Sequence, residues 1–253
     1  MNAIALHERV SADFEAKLAR SRALLRQAAH DHAPTRPGDA ARVSQASSLG
    51  AEDMVITHLI NRMRLDIGIF VLDTGRLHPE TLQLLERLKA SSLAPVEVFK
   101  PVAESVIRFV AREGRDAMYN GVAQRLTCCQ IRKTEPLARA LKGKTAWITG
   151  LRREQSGARA EVPAIDRSDA QRLKFNPLAD WTWGDVWHYL LTFAVDYNPL
   201  HDQFYSSIGC APCTRAITPG EDLRAGRWWW EGEGLKECGL HVRPRAVEQE
   251  IAA

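Results

Sequence analysis

The sequence has no apolar run approaching the roughly 18 residues that a membrane-spanning helix needs, so no span is expected. It also has little imbalance of charge. Lys and Arg number 34 against 31 Asp and Glu, and the formal net charge of +3 is too small to argue for a nucleic-acid partner. Cysteine is scarce, and a count of five is odd, which fits poorly with a framework of paired disulfides. Internal repeats and low-complexity stretches are missing too. The early residues do not read as a secretory leader, because Glu8, Arg9, Asp13, Glu15 and Lys17 break up their apolar residues. What is present is an ordinary globular balance of 45% hydrophobic and 26% charged residues. The expectation is a cytoplasmic protein whose thiols are reactive or metal-bound. Its 253 residues suit one α/β domain with extensions.

Leu6, Val10, Phe14, Leu18 and Leu25 fall near helical spacing and predict an amphipathic helix over 5–29. Pro34, Pro37 and Gly38 mark a linker, so residues 1–40 read as an N-terminal helix and linker. A main domain over 41–227 and a tail over 228–253 follow. Within the main domain, strand and helix signals alternate. A short, weak strand at 42–47 precedes a helix at 51–63, and an apolar strand at 67–72 precedes a helix opened by His78-Pro79-Glu80. Further signals are a strand at 96–99, helices at 102–112 and 134–141, and a strand at 145–149. Such alternation implies a parallel sheet with helices on both faces. Beyond residue 170 the pattern changes to one clear helix at 182–193, then an irregular Gly-, Pro- and Trp-rich stretch. Trp183 and Trp187 read as core, whereas Trp228, Trp229 and Trp230 cannot all bury on one face.

Ligands of open parallel sheets bind at the carboxyl ends of strands. Here Ser47-Ser48-Leu49-Gly50 follows the first strand, Asp73-Thr74-Gly75 the second, and Gly150 the strand of Trp147. Small residues and hydroxyls at three strand ends leave room for a nucleotide, with backbone N–H groups at the helix start holding phosphate. Tight strand-to-helix turns are the plainer alternative. Cys128 and Cys129 are adjacent, and Cys210-Ala211-Pro212-Cys213 is a CxxC pair. Adjacent cysteines rarely pair with each other, because the small ring strains the peptide and the S–S geometry. Four thiolates suffice for tetrahedral zinc or an iron–sulfur cluster. Zinc sites usually employ two CxxC-like pairs, whereas a CC pair suits ligands to different metal atoms, so the chemistry favours [4Fe–4S]. Cys238 stands apart, flanked by Gly234 and Gly239 in a stretch that can carry a thiol into a site and out again. Lys236 and His241 would lower its pKa and Glu237 would oppose them; an incidental surface cysteine is the rival reading. Lys133, Arg152, Arg153, Arg159, Arg224 and Arg227 lie near these features and suit a multiply charged anion, with a solvated basic face as the alternative.

Several motifs, taken together, resemble those of assimilatory adenylyl-sulfate reductases from about residue 43 to 242. They are Ser47-Ser48-Leu49-Gly50-Ala51-Glu52-Asp53, Leu72-Asp73-Thr74-Gly75, and the Cys128-Cys129 pair with Arg132-Lys133. Arg152-Arg153 with Gln155-Ser156, Tyr197-Asn198-Pro199-Leu200-His201, Ile208-Gly209 before the CxxC, and Lys236-Glu237-Cys238-Gly239-Leu240-His241 complete the set. The resemblance implies the Rossmann-like, adenine-nucleotide alpha-hydrolase-like (PP-loop) α/β fold, with a flexible C-terminal tail and 47–53 as a modified phosphate loop. It further implies a [4Fe–4S] cluster on Cys128, Cys129, Cys210 and Cys213. Cys238 would attack the sulfur of adenosine 5′-phosphosulfate, giving a Cys S-sulfonate and AMP, and thioredoxin would release sulfite. Ser47, Ser48 and Gly50 would hold the nucleotide phosphate region, Leu72 and Gly150 would offer backbone contacts to adenine and ribose, and Arg159 the closing loop. Lys133, Arg224, Arg227 and His241 would screen the sulfate oxygens.

Reduction of 3′-phosphoadenosine 5′-phosphosulfate is the alternative within the family. A PP-loop sulfur-transfer enzyme acting on tRNA is a more distant one, and its usual Ser-Gly-Gly-x-Asp-Ser loop is lacking here. A non-catalytic iron–sulfur sensor would leave Cys238 without a role. No nucleic-acid or membrane partner is expected, and homo-oligomerisation is left open. Three positions depart from the pattern: the polar run Val43-Ser44-Gln45-Ala46 where a central strand is expected, His58 and Phe204.

Overall fold

A computed structural model describes His7 and residues 9–232 apart from Pro37 and Pro219. Its centre is a six-stranded sheet of β1 (Val43–Ser47), β2 (Gly68–Leu72), β3 (Val96–Phe99), β4 (Ala146–Ile148), β5 (Ile165–Asp166) and β6 (Leu173–Phe175), in the order β3-β2-β1-β4-β6-β5. All neighbours run parallel except the β5–β6 pair at one edge. Side chains alternate across the pleat, so each strand feeds two cores. Ile69, Val71, Ala146 and Ile148 join one core, with α1 (Phe14–Asp31), α2 (Ala51–Met63), α3 (Pro79–Ser91) and α7 (Trp183–Thr192). Phe70 and Trp147 point the other way, into Ala140 and Leu141 at the end of α6 (Glu135–Ala140). Helices therefore cover both faces, as a parallel sheet requires.

The polar first strand is the central one. Gln45 is fully buried, yet its amide donates to the Asp53 carbonyl (2.8 Å) and accepts from Thr57 Oγ1 (2.9 Å). Polarity here does not weaken the sheet; it ties β1 to α2, because both buried partners are satisfied.

The single helix expected over 5–29 is interrupted: 9–13 are not helical and α1 runs over Phe14–Asp31, while residues 5, 6 and 8 lie outside the described residues. Ser11 leaves the helical path to reach α7, where its N–H and O–H both donate to Asp185 Oδ1 (2.8 and 2.7 Å). Lys17 adds an ion pair to Asp185 Oδ2 (3.1 Å), and the Asp185 side chain is wholly buried. The same carboxylate accepts the Thr182 N–H at the start of α7, while Thr182 Oγ1 accepts from Asp185 N, a reciprocal cap. Gly184 is needed beside it, because a Cβ there would run into the Arg9 carbonyl.

Three elements escape the sequence reading. α5 (Val122–Cys129) runs through a π-helical turn (Gln130–Thr134) into α6, so the helix expected at 134–141 is the end of a longer one. The two- and three-residue strands β5 and β6 were too short to leave a period. α4 (Ala103–Glu113) and α5 frame a third core, which holds Phe109, Met118 and Trp228 with four of the cysteines. Trp228 is buried and Trp229 exposed, so the three tryptophans do divide between faces.

Candidate active site

Order reverses between β1 and β4, the position where connections leave an α/β sheet in opposite directions and open a crevice. A cavity of about 230 Å³ lies there. Ser47, Ser48 and Gly50 reach it from the loop after β1, Leu72 from the end of β2, and Gly150 from the loop after β4. Lys133, Arg159, Arg224 and Arg227 line it as well, so one cavity gathers nine of the ten substrate-contact residues expected from sequence. His241 lies outside the described residues, as does Cys238.

The loop after β1 differs from an anion cradle. Four successive backbone N–H groups already have protein acceptors: Ser48 to Asp53 Oδ2 (2.6 Å), Leu49 to Ser47 Oγ (3.2 Å), Gly50 to Ser48 Oγ (3.4 Å) and Ala51 to His201 Nε2 (3.2 Å). The expectation that helix-start N–H groups hold phosphate is corrected on this ground. The Ser48 hydroxyl is engaged too, donating to Asp53 Oδ2 (2.7 Å). What the loop offers a ligand is its rim. His201 serves as an acceptor because burial lowers its pKa to about 4, against the opposing charge of Glu52, and its Nδ1 donates to the Tyr205 carbonyl (2.7 Å). Burial likewise pushes the Asp53 carboxyl up to about 6, with Ser48's hydrogen bonds pulling down and Glu52's charge adding to the rise.

A polar chain closes one wall. Arg152, fully buried, donates to Glu52 Oε1 (3.0 Å), and Gln155 Nε2 donates to the same oxygen (2.9 Å). Burial acts to raise the Glu52 pKa, but Arg152 and Gln155 outweigh it and hold the carboxyl below its ordinary range. Gln155 Oε1 in turn accepts from Arg159 (2.6 Å). Arg152, expected from sequence to face an anion, instead pairs with Glu52, whereas Glu52, Asp53, Gln155 and His201 carry no site assignment in the sequence reading. The only signal for those four is membership of the quoted motifs.

The opposite wall is cationic. Arg227 is buried, lies over the Trp228 ring (4.6 Å to the centroid) and donates only weakly, to Ile208 O (3.3 Å) and Ser207 Oγ (3.4 Å). Its Nε has no partner, and among the described residues no carboxylate pairs with it. Gly209 makes the space: a Cβ there would sit 2.5 Å from an Arg227 nitrogen.

Behind this wall lie the thiols. Cys128 and Cys129 end α5, and Cys210 and Cys213 flank a single 3₁₀ turn; all four are buried. They line a second, small cavity with Arg76, Arg125, Arg132 and Lys133, and Lys133 and Cys210 also face the first cavity. Thr74 Oγ1 contacts Cys210 Sγ (3.2 Å). Burial pushes the Cys213 thiol up to about 11 and raises Cys128 too, against the pull of Arg132. Ligation requires thiolates, and nearby cations offset their charge. Among the described residues no three His, Cys, Asp or Glu side chains converge tightly enough for a single ion. Four thiols around one small cavity are donors of the kind that iron–sulfur clusters take.

A sheet of this order, with its cavity at the reversal and a loop of the 47–53 kind, defines the PP-loop class of α/β nucleotide-binding folds. The phosphoadenosine phosphosulfate reductase domain matches residues 42–216, and the chain belongs to that family. It is 55% identical over 208 residues to an adenosine 5′-phosphosulfate reductase from Allochromatium vinosum, covering 82% of this chain and 81% of that one. An adenosine 5′-phosphosulfate reductase from Burkholderia cepacia is 51% identical over 231 residues, covering 91% and 89%. Among solved structures, a phosphoadenylyl-sulfate reductase from Candida auris in a phosphate complex superposes with a TM-score of 0.62 at 26% identity, over 80% of this chain and 97% of that one. A Candida glabrata FMN adenylyltransferase shares the fold at a TM-score of 0.57 and 11% identity, over 98% of this chain and 87% of its own. Among the described residues no helix is long and apolar enough to cross a membrane.

Proposed function

We propose that the chain reduces adenosine 5′-phosphosulfate to sulfite and AMP with thioredoxin as electron donor, in assimilatory sulfate reduction and cysteine biosynthesis. The names and coverage of its relatives support the reaction. Within the site, the observation that carries the reading is Arg227, a buried guanidinium without a carboxylate among the described residues, facing the cavity. A buried cation of this kind is costly until an anion completes it. Arg224 and Lys133 line the same cavity, so a ligand with two anionic groups suits that end.

In this reading the adenosine lies along the rim of Ser47, Ser48 and Gly50, with Leu72 and Gly150 giving backbone contacts and Arg159 closing the site. Lys133, Arg224 and Arg227, with His241 from the tail, screen the sulfate oxygens against the incoming thiolate. Cys238 Sγ forms a bond to sulfur as the bond from sulfur to the AMP oxygen breaks. AMP departs as a stable anion, so no strong acid is needed. A thioredoxin thiolate then attacks Cys238 Sγ, and sulfite leaves with the bonding pair. The second thioredoxin thiol closes the disulfide, supplying the two electrons that take sulfur from +6 to +4. Thioredoxin must reach Cys238 for that attack, so the thiol has to leave the substrate cavity first. Cys128, Cys129, Cys210 and Cys213 would hold a [4Fe–4S] cluster, which supplies a compact charged centre behind the cavity wall.

Sulfite release from adenosine 5′-phosphosulfate with reduced thioredoxin tests the reading. Arg227→Ala should lower kcat/KM by about 1.5–3 kcal/mol, roughly 10- to 150-fold, the value of a charge-assisted hydrogen bond. Unchanged kinetics would mean that Arg227 faces no anion. The 3′-phosphorylated nucleotide, for which the matched domain is named, belongs in the same assay as the competing substrate. The four-thiol set favours the unphosphorylated one.

A further inference from the structure

Asp53 has no part in the reaction as described, yet it touches both loops at the reversal point. Its Oδ2 accepts the N–H and the O–H of Ser48 (2.6 and 2.7 Å). The Gly150 N–H also turns to this carboxylate, and a Cβ at Gly150 would lie 2.5 Å from Oδ1. From below, the Gln45 amide holds the Asp53 carbonyl (2.8 Å), fixing the residue against the central strand. Ser48 follows β1 and Gly150 follows β4, which are hydrogen-bonded neighbours, and both residues line the cavity.

We infer that Asp53 is a positioning residue for the nucleoside end of the site, a clamp that sets the spacing between the Ser48 and Gly150 loops. The inference rests on the nucleotide reading above. A carboxylate suits this place because it only accepts, and all three groups that meet it are donors. An amide has one accepting oxygen and an NH₂ group that opposes a donor, so Asn cannot satisfy Ser48 and Gly150 together. Burial is what makes the mismatch expensive. The clamp also explains Gly150: any side chain there displaces the carboxylate.

The test uses the full chain, with AMP binding by calorimetry beside steady-state sulfite release. Asp53→Asn should weaken AMP binding and raise the KM for adenosine 5′-phosphosulfate by about 10-fold or more, with kcat within about 3-fold, since the cationic end is untouched. Ser48→Ala alone should raise KM by about 3-fold or more, and adding it to Asp53→Asn should cost little further, because both remove the same contact. Gly150→Ala should reproduce the Asp53→Asn effect, and with Ser48→Ala it supplies the answer if Asp53→Asn does not fold. Wild-type affinity in Asp53→Asn, or fully additive Ser48→Ala and Asp53→Asn effects, overturns the clamp. Tighter AMP binding overturns it as well, since the carboxylate would then act only as a charge facing an anion. Wild-type protein that binds AMP but releases no sulfite contradicts the reaction while leaving the clamp to be judged on AMP affinity. Failure of the wild type to bind AMP contradicts both.

Discussion

Cys210→Ser should strip iron, activity and stability from the protein together. Cys210 lines both cavities, contacts Thr74 Oγ1 and forms an isolated β-bridge with Leu77, so its neighbours are fixed from both sides. A serine there puts a hydroxyl among buried sulfurs and removes a soft ligand that iron–sulfur sites require. Protein purified without oxygen should be brown and carry about four iron and four sulfide per chain, as one Cys-ligated cubane requires. In Cys210→Ser the iron content should collapse. Stability should fall by more than about 3 kcal/mol, since loss of a metal centre is among the few single changes that reach the far end of the mutational range. The same outcome is expected at Cys128, Cys129 and Cys213, which share the buried cluster. Stoichiometric zinc without iron in such a preparation would contradict the assignment.

Cys238→Ser should separate the two roles of cysteine in this chain. If Cys128, Cys129, Cys210 and Cys213 hold the proposed cluster, its ligand count is complete without Cys238, and iron content and nucleotide binding should match wild type. Sulfite release should fall to background, because a serine hydroxyl at neutral pH is a far poorer nucleophile than a thiolate. A brown, nucleotide-binding, inactive protein is the expected phenotype. Loss of iron in this variant would place Cys238 among the ligands instead.

The strand ends were the legible part of the sequence. Small residues after β1, β2 and β4 mark the cavity correctly, because room for a ligand beside a parallel sheet is a property of local composition. The α2 helix, 51–63, has the boundaries its periodicity predicts. β1 reads as weak because Gln45 is polar, and only the fold shows that Asp53 and Thr57 of α2 satisfy it. The break at 9–13 in the helix expected over 5–29 has a similar cause: Ser11 is drawn to Asp185, a partner 174 positions away that no local period reveals. α5 is only eight residues long, and its buried residues, Arg125, Cys128 and Cys129, leave no apolar stripe to read. The phosphate loop was misjudged at the level of hydrogen bonds. Its N–H groups look available in the sequence, but Asp53 and His201 occupy the first and last of them. His201, 150 positions from Ala51, leaves no trace in spacing.

The central claim is a sulfonate carried on Cys238. Wild-type protein mixed with adenosine 5′-phosphosulfate in the absence of thioredoxin should gain one SO₃ unit, about 80 Da, on the peptide containing Cys238, with AMP released in equal amount, because nucleophilic catalysis requires that covalent intermediate. Reduced thioredoxin should then remove the label and liberate sulfite. An adduct on any other cysteine, or sulfite appearing before thioredoxin is added, would contradict it.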